Sequence, residues 1–432
     1  MMDLLAIAVG SLAGGTLLVL LGGLLLSLPV VLVQTVQVTV RREGLPVIYS
    51  LRSLGRRKVT VAATFSVLAL VVFVFTAALM LAEGVRHTLE ATGNPLNVKM
   101  LRENSISEGT SWLTEEQLRQ LSVAPGVASD GSGKPLVSGE LVVLIWAARR
   151  NATGPNDGAN LTVRGVHPVA FNVHPARSLT GRQFSTGAQE IVIGRSLAGH
   201  FEGAELGGTM TFADDHWKVV GIADHGGTAH DSEVWGDIEV MSTTFKRSLT
   251  TATVRLTDVS AFDQFAAALE MSSRQVELVP KREAEYWREL SESYVGFVTL
   301  LGSVVGLIFS FGAILGTLNT MYAQVAARTR ELGTLRAIGF KRRAILTSIV
   351  LESVLLSLAA GAVGVLAASL LGRSEFRLTT VETLSEITYR FHLTPEIVLG
   401  CLTLSALMGY AGALLPAMRA ARIPIVSAVR AE

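Results

Sequence analysis

The side chains best suited to chemistry lie between Asp214 and Asp231. Asp214-Asp215-His216, Asp224-His225 and His230-Asp231 bring together imidazoles and carboxylates of the kind that hold metals. No His-Glu-x-x-His or comparable spacing fixes a coordination geometry, and Gly226-Gly227 marks a loop. The cluster therefore reads as solvated loop side chains. A nucleotide site would need a Walker A loop, whose glycines free the backbone to wrap phosphates. Gly131-Ser-Gly-Lys-Pro135 has Ala128 where the first glycine belongs and Pro135 where Ser or Thr belongs, so it reads as a turn. No G-x-S-x-G elbow supports a hydrolase centre. The sequence assigns no catalytic, cofactor-binding or metal-binding residue. The sequons at Asn151 and Asn160 matter only in a cell that glycosylates secreted loops.

The elements that would carry any chemistry are mostly apolar. Hydrophobic residues make up 49% of 432 and charged residues 17%, with mean hydropathy +0.44. Soluble domains carry about 25% charge, so this is a membrane protein with a water-exposed part. A spanning helix needs roughly 20 apolar residues. Residues 4–40, 59–82, 293–327 and 397–418 contain no charge, and 344–372 contain only Glu352. Five spans are expected. The first gap fits one tilted helix better than two tight crossings joined near Ser27-Leu-Pro29. Its length and its Asp3 argue against a cleavable signal peptide.

Lys and Arg concentrate in segments 41–58, 323–343 and 419–432, which five spans place on one side. By the positive-inside rule that side is the cytoplasm, with the N-terminus outside. Residues 83–292 then form a large outer domain. Leu161–Val166, Glu190–Gly194, Thr209–Phe212, Trp217–Ile222 and Ala252–Leu256 read as strands, while Thr114–Leu121 and Ser260–Leu269 read as helices. The structure of Ser132–Asn160 stays open. The expected fold class is an α-helical multi-pass membrane protein with a large α+β extracytoplasmic domain. Its segments are an extra N-terminal span (1–40), a cytoplasmic elbow (41–58), a span (59–82), the outer domain (83–292) and a span (293–322). A cytoplasmic coupling loop (323–343), a span (344–372), a short outer loop (373–396), a span (397–418) and a cytoplasmic tail (419–432) follow.

Two features inside the spans invite attention. Glu352 lies nine residues past Arg343, roughly 13 Å deep at 1.5 Å per residue. A structural partner on a neighbouring helix is the favoured reading over a proton relay. Gly302 with Gly306, and Gly312 with Gly316, fit the small-xxx-small pattern for helix packing within the chain or across a dimer. Cys401, the single cysteine, rules out an intrachain disulfide and reads as packing.

The most informative stretch is Ala323–Ile345, basic and short, with Leu332, Leu335 and Ile338 at helical spacing and Gly333 and Gly339 as punctuation. A short amphipathic helix there suits docking of another protein. Arg328-Thr-Arg-Glu-Leu-Gly-Thr-Leu-Arg-Ala-Ile-Gly339 resembles the coupling loop of the MacB/FtsX-like permeases of ABC transporters, the mechanotransmission type. Pro416–Arg430 is similar to that family's ending, Ser50–Lys58 to its elbow, and Gly187–Val240 to its outer core domain. The resemblance implies a non-enzymatic subunit that recruits a cytoplasmic ABC ATPase, with ATP and Mg held on that partner. It implies a homodimer or paired permease, a periplasmic adaptor or substrate carrier as a further partner, and an inner-membrane location. By the family pattern, Arg328, Arg330, Glu331, Leu332, Gly333, Leu335, Arg336, Gly339 and Phe340 form the docking site. Arg330, Glu331 and Arg336 would make polar contacts there, with Leu332 and Leu335 packing. The span before Ser50 departs from a four-span permease and could face lipid or a partner, so substrates of other branches do not transfer.

The docking segment favours two functions, export or extraction of a substrate and mechanical switching of an outer-face enzyme such as a cell-wall hydrolase, over a third, a membrane-bound enzyme or receptor with no ATPase. Nothing points to nucleic acid. The net charge of +1 is a cancellation, since residues 83–292 carry 19 Lys/Arg against 27 Asp/Glu and the rest carry 18 against 9.

Overall fold

A computed structural model describes residues 58–424 of the chain, apart from 106, 155, 273–277 and 380–383. The expected first span and the elbow lie outside the described residues, Lys58 excepted, as does the tail beyond 424. In chain order the elements are helix α1 (Lys58–Glu90), strand β1 (Asn97–Arg102), α2 (Glu115–Ser122), β2 (Val137–Ala148), β3 (Gly158–Val166), α3 (Ala170–Val173) and β4 (Ser178–Gly181). Next come β5 (Glu190–Gly194), β6 (Thr209–Phe212), β7 (Asp215–Asp224), β8 (Glu233–Asp237), α4 (Ile238–Phe245), β9 (Thr251–Arg255), α5 (Ala261–Ser272) and β10 (Leu278–Arg282). The chain continues through α6 (Glu283–Ala327), α7 (Thr329–Ala337), α8 (Arg342–Ser369), β11 (Glu375–Thr379), β12 (Glu386–Arg390) and α9 (Pro395–Arg422).

Among the described residues, α1, α6, α8 and α9 are long and apolar enough to cross a membrane. Where lipid replaces water, apolar side chains gain nothing by meeting each other, so close packing and interhelical hydrogen bonds hold spans together. Helices α8 and α9 show both: the Ser353 hydroxyl donates to the Gly409 carbonyl at 2.8 Å, and the Ser405 hydroxyl donates to the Ser357 carbonyl. Cys401 is fully buried among Leu68, Val72, Ala360 and Met408, a packing residue.

The second compact unit comprises Leu81–Val298 and Arg373–His392. Its ten-stranded sheet runs β10-β1-β9-β2-β3-β8-β5-β7-β4, with β6 paired to β7. Neighbours are antiparallel except β3 with β8 and β5 with β7. One face carries Val98, Met100, Leu141, Val143, Leu161, Val163, Val234 and Val254, which form the main core together with Phe265 of α5. Thr114 caps α2 as its sequence suggests, accepting from Gln117 N while the Gln117 side chain accepts from Thr114 N. The segment left open, Ser132–Asn160, supplies the twelve-residue β2 and the start of β3.

Residues 373–396, whose charges read as a short loop, form the hairpin β11–β12 in this unit. Glu375 lies opposite Arg390 and pairs with it at 2.5 Å, and Glu386 pairs with Arg149 at 2.5 Å. These charges are cross-strand and tertiary partners.

Glu190, at the start of β5, accepts from both terminal nitrogens of Arg182 at 2.5 and 2.7 Å and from Ser185 N at 3.0 Å. The Arg182 hydrogen bonds hold its carboxyl down at about 2, against an ordinary 4.5. A depressed folded-state pKa stabilises above the unfolded value and loses that contribution as pH falls towards the folded one. Arg182 is half exposed, so solvent screens the pair and its contribution is small. Arg182→Ala should unfold at slightly higher pH in an acid titration followed by circular dichroism; an unshifted acid transition would contradict the assignment.

Candidate functional site

Between α6 and α8 the chain forms a separate helix, α7, where a docking segment is expected. It ends in a glycine cap. Gly339 has φ +111°, its N–H donates to the Arg336 carbonyl at 3.1 Å, and the Phe340 N–H donates to the Leu335 carbonyl at 3.1 Å. This doubly bonded ending needs positive φ, which glycine takes without strain.

The helix has an inward and an outward side. Arg328, just before it, makes a two-pronged pair with Glu352 of α8: Nη1 to Oε2 at 3.1 Å and Nη2 to Oε1 at 3.3 Å. One turn on, Leu332 packs on a cluster that includes Met321, Val325, Ile345, Tyr410 and Ala417. A turn further, Arg336 donates to the carbonyls of Ile423 at 2.7 Å and Ala421 at 3.5 Å, satisfying the exposed end of α9. Positions four apart share a helix face, so 328, 332 and 336 together seat α7 on the spans. Gly333 is buried beside them, Leu335 and Phe340 are half-buried, and Arg330, Glu331, Gly339 and Ile338 are exposed.

This differs from the expected docking set in three places. Arg328, Leu332 and Arg336 turn towards the chain's own span bundle, because a buried carboxylate, an apolar seam and open helix-end carbonyls need them there. Glu352 has the structural partner expected for it, and that partner is Arg328.

The four glycines of α6 divide. A Cβ on Gly306 would meet the Phe75 ring at 2.4 Å, and one on Gly302 would meet Ala78 Cβ at 3.0 Å, so this pair allows close approach to α1. Nothing described lies within 4 Å of a Cβ on Gly312 or Gly316. That stretch of α6 exposes Ile308 and Phe311 at 65% and 63%.

A second concentration of polar groups lies in the sheet unit. Strand registers place Lys99 beside Thr253, Thr253 beside Ser138, Val142 beside Arg164, and Arg164 beside Trp235. Since side chains alternate faces with period two, Lys99, Glu140, Arg164 and Glu233 share the face opposite the apolar core. All are buried. Arg164 donates to Glu233 at 2.8 and 2.9 Å, to Glu140 at 2.5 Å and to Glu108 at 2.8 Å. Lys99 lies 2.5 Å from Glu108 and 3.4 Å from Glu140. Trp235 Nε1 donates to Glu233 at 2.8 Å, and one imidazole nitrogen each of His230 and His174 meets Glu233 at 3.1 Å and Glu140 at 3.3 Å.

Burial alone would raise the carboxyls of Glu108, Glu140 and Glu233, but Arg164 and Lys99 beside the first two, and Arg164 and His230 beside Glu233, outweigh it and hold all three below the usual range. Burial would likewise lower Lys99 and Arg164, and the carboxylates raise both instead. His230 is pushed down by burial, with Glu233 opposing. A cavity of about 440 Å³ opens on this network, lined by Arg164, Glu108 and Glu233 together with Tyr286, Trp287 and Leu290.

The loop reading of the His/Asp cluster therefore fails in part. Asp215 to Asp224 is strand β7, and His225, His230 and Asp231 are buried. Asp231 accepts from the N–H groups of His225 at 2.5 Å and Gly227 at 2.6 Å, which folds the two-glycine turn over it. Sequence reasoning missed Lys99, Glu140, Arg164 and Glu233. Each sits where strand alternation reads as a solvent face, and nothing local announces that this face is covered.

Removing one member of a buried ion network leaves uncompensated charge and costs about 3–5 kcal/mol. Arg164→Met should lower stability by that amount in thermal or urea unfolding of the detergent-solubilised chain. A loss below about 1 kcal/mol would mean the network is solvated.

Comparison with known proteins follows the same division. The MacB-like periplasmic core domain model matches residues 61–271, and the FtsX-like permease C-terminal model matches residues 295–425. The uncharacterized ABC transporter permease YknZ of Bacillus subtilis is 23% identical over 371 residues, covering 81% of this chain and 88% of that protein. The macrolide export ATP-binding/permease protein MacB of Acinetobacter baylyi is 23% identical over 373 residues, covering 80% of this chain and 55% of that protein. The chain thus spans about half the length of that ATP-binding/permease relative. The extracellular domain of the noncanonic ABC-type transporter YknZ from Gram-positive bacteria aligns at 14% identity with TM-score 0.33, over 43% of this chain and 99% of that domain. A core-domain match followed by a permease match, with relatives named as ABC permeases over four-fifths of its length, makes this chain a member of the MacB/FtsX-like superfamily of ABC transporter permeases.

Proposed function

We propose that this chain is the membrane subunit of an ABC transporter of the mechanotransmission type and binds a separate cytoplasmic ATPase through the outward side of α7. The observation that carries this reading is the division of α7 into two sides. Arg328, Leu332 and Arg336 tie it to the spans, while Arg330, Glu331 and Ile338 remain exposed. A helix seated in this way moves with the helices it is tied to, so force applied to its outer side passes to α6 and α8 without bending a loop. ATP and Mg belong to the partner. Nucleotide acts by favouring one of two arrangements of the spans.

In this reading the basic segments lie in the cytoplasm and the N-terminus outside. Helix α6 runs unbroken from Ala327 to Glu283 and carries displacement into the outer domain, for export or extraction of a substrate. Gly312 and Gly316, uncovered among the described residues, supply the close-approach face for a second permease copy. A periplasmic adaptor or carrier engages the outer domain.

The docking claim is tested by reversing charge and polarity on the outward side alone. Arg330→Glu with Ile338→Asp should reduce co-purification of a soluble ABC ATPase with this chain, and its stimulated hydrolysis, by tenfold or more. The thermal midpoint of the permease should remain unchanged. Retained association in a folded double variant would overturn the assignment. Arg336 is unsuitable for this test, because its loss frays α9.

A further inference from the structure

The ion network of the sheet unit leaves polar atoms unused. Glu283, the first residue of α6, accepts at Oε2 from Asn97 Nδ2 at 2.9 Å and Asn94 N at 3.1 Å. Its Oε1 accepts no hydrogen bond among the described residues, although Glu283 is fully buried. His230 is bonded at Nδ1 by Glu233 and, among the described residues, has no hydrogen-bond partner at Nε2; it is 3% exposed. His174, bonded at Nε2 by Glu140, turns Nδ1 towards Glu283 Oε1 at 3.7 Å, beyond hydrogen-bond reach. One donor atom from each of the three residues lies within 4.8 Å of the other two.

Unpaired buried polar atoms cost free energy, and two of them, Glu283 Oε1 and His230 Nε2, sit with the His174 imidazole in one cluster that a common partner would satisfy. We propose that His174, His230 and Glu283 form a buried zinc site in this domain. Two imidazoles and one carboxylate are a zinc donor set, whereas calcium and magnesium prefer all-oxygen shells. Tetrahedral zinc with ligands at about 2.0–2.1 Å spaces its donors about 3.3 Å apart, so closure needs shifts of about an ångström. The supporting contacts already match those of zinc ligands: a carboxylate holds the far nitrogen of each imidazole, and Asn97 holds the far oxygen of Glu283.

Charge argues the same way. Among the described residues, the Lys and Arg side chains paired with Glu108, Glu140, Glu233 and Glu283 are Lys99 and Arg164, with Lys99 at 3.8 Å from Glu283 Oε1. With neutral imidazoles the cluster carries two surplus negative charges, which one divalent cation cancels. None of the three proposed ligands lines the neighbouring cavity, but Glu233, which does, meets His230 Nδ1 at 3.1 Å. Bound zinc would join the turn after α3, the turn before β8 and the start of α6, three segments distant in sequence.

The test uses the full chain in detergent, stripped with chelator, dialysed and titrated with Zn²⁺ alone. Elemental analysis should find one zinc per chain, and the thermal midpoint should rise by several degrees, since zinc binds the folded state only. Glu283→Gln keeps the acceptor for Asn94 and Asn97 and should weaken binding by about tenfold or more. His230→Ala should abolish it, and His216→Ala, at an exposed imidazole, should change nothing. Co²⁺ in place of zinc should give the visible absorption of a tetrahedral nitrogen–oxygen site. The proposal is overturned if the stripped chain binds zinc no better than Glu283→Gln, or if zinc leaves its midpoint unmoved. Should His230→Ala not fold, Glu283→Gln decides alone.

Discussion

A charge taken out of water has to meet its opposite, and this single constraint organises both halves of the molecule. In the spans it acts through Glu352, 5% exposed, which fixes the guanidinium of Arg328 at the end of α6. In the sheet unit it acts through Arg164, 1% exposed, which gathers Glu108, Glu140 and Glu233 from three separate segments. Isolated, each of these groups would cost several kcal/mol to bury. Paired, each selects one arrangement of helices or strands over its neighbours in register, which apolar packing alone does not do.

The pairing at Glu352 has a mechanical consequence. A loop joining two spans through glycines would absorb displacement. Here the connection is a nine-residue helix tied at two cationic points and one apolar point, all on the same face. Orientation follows from attachment: with 328, 332 and 336 committed inward, 330 and 338 are left outward by helical geometry. The basic character of this segment thus has a source inside the fold, the demand of a buried carboxylate and of open helix-end carbonyls for cations.

Sequence reveals those parts of the structure whose causes are local. Charge gaps located α1, α6, α8 and α9, because bilayer thickness sets a minimum apolar length. Glu190–Gly194 and Thr209–Phe212 coincide with β5 and β6, and the Thr114 cap starts α2. What stayed hidden depends on partners far along the chain. Glu233-Val-Trp-Gly-Asp237 is too short to declare itself, and becomes a strand because β3 and β5 flank it. Arg164 looks like the solvent side of an alternating strand until a second layer covers it. Arg336 looks like a surface cation until the end of α9 arrives beside it. In residues 328–340 the helix and its stop at Gly339 were legible, but Gly333 lies inside the helix rather than breaking it, and which residues face inward was not legible.

The account stands or falls on what touches the outward side of α7. A photo-reactive amino acid placed at position 338, exposed by 72%, reports this directly in living cells. The account predicts one main adduct, a soluble protein carrying a Walker A loop, lost when the label is moved to Leu332 on the inward side. An adduct with lipid alone, or equal capture from both positions, would contradict it.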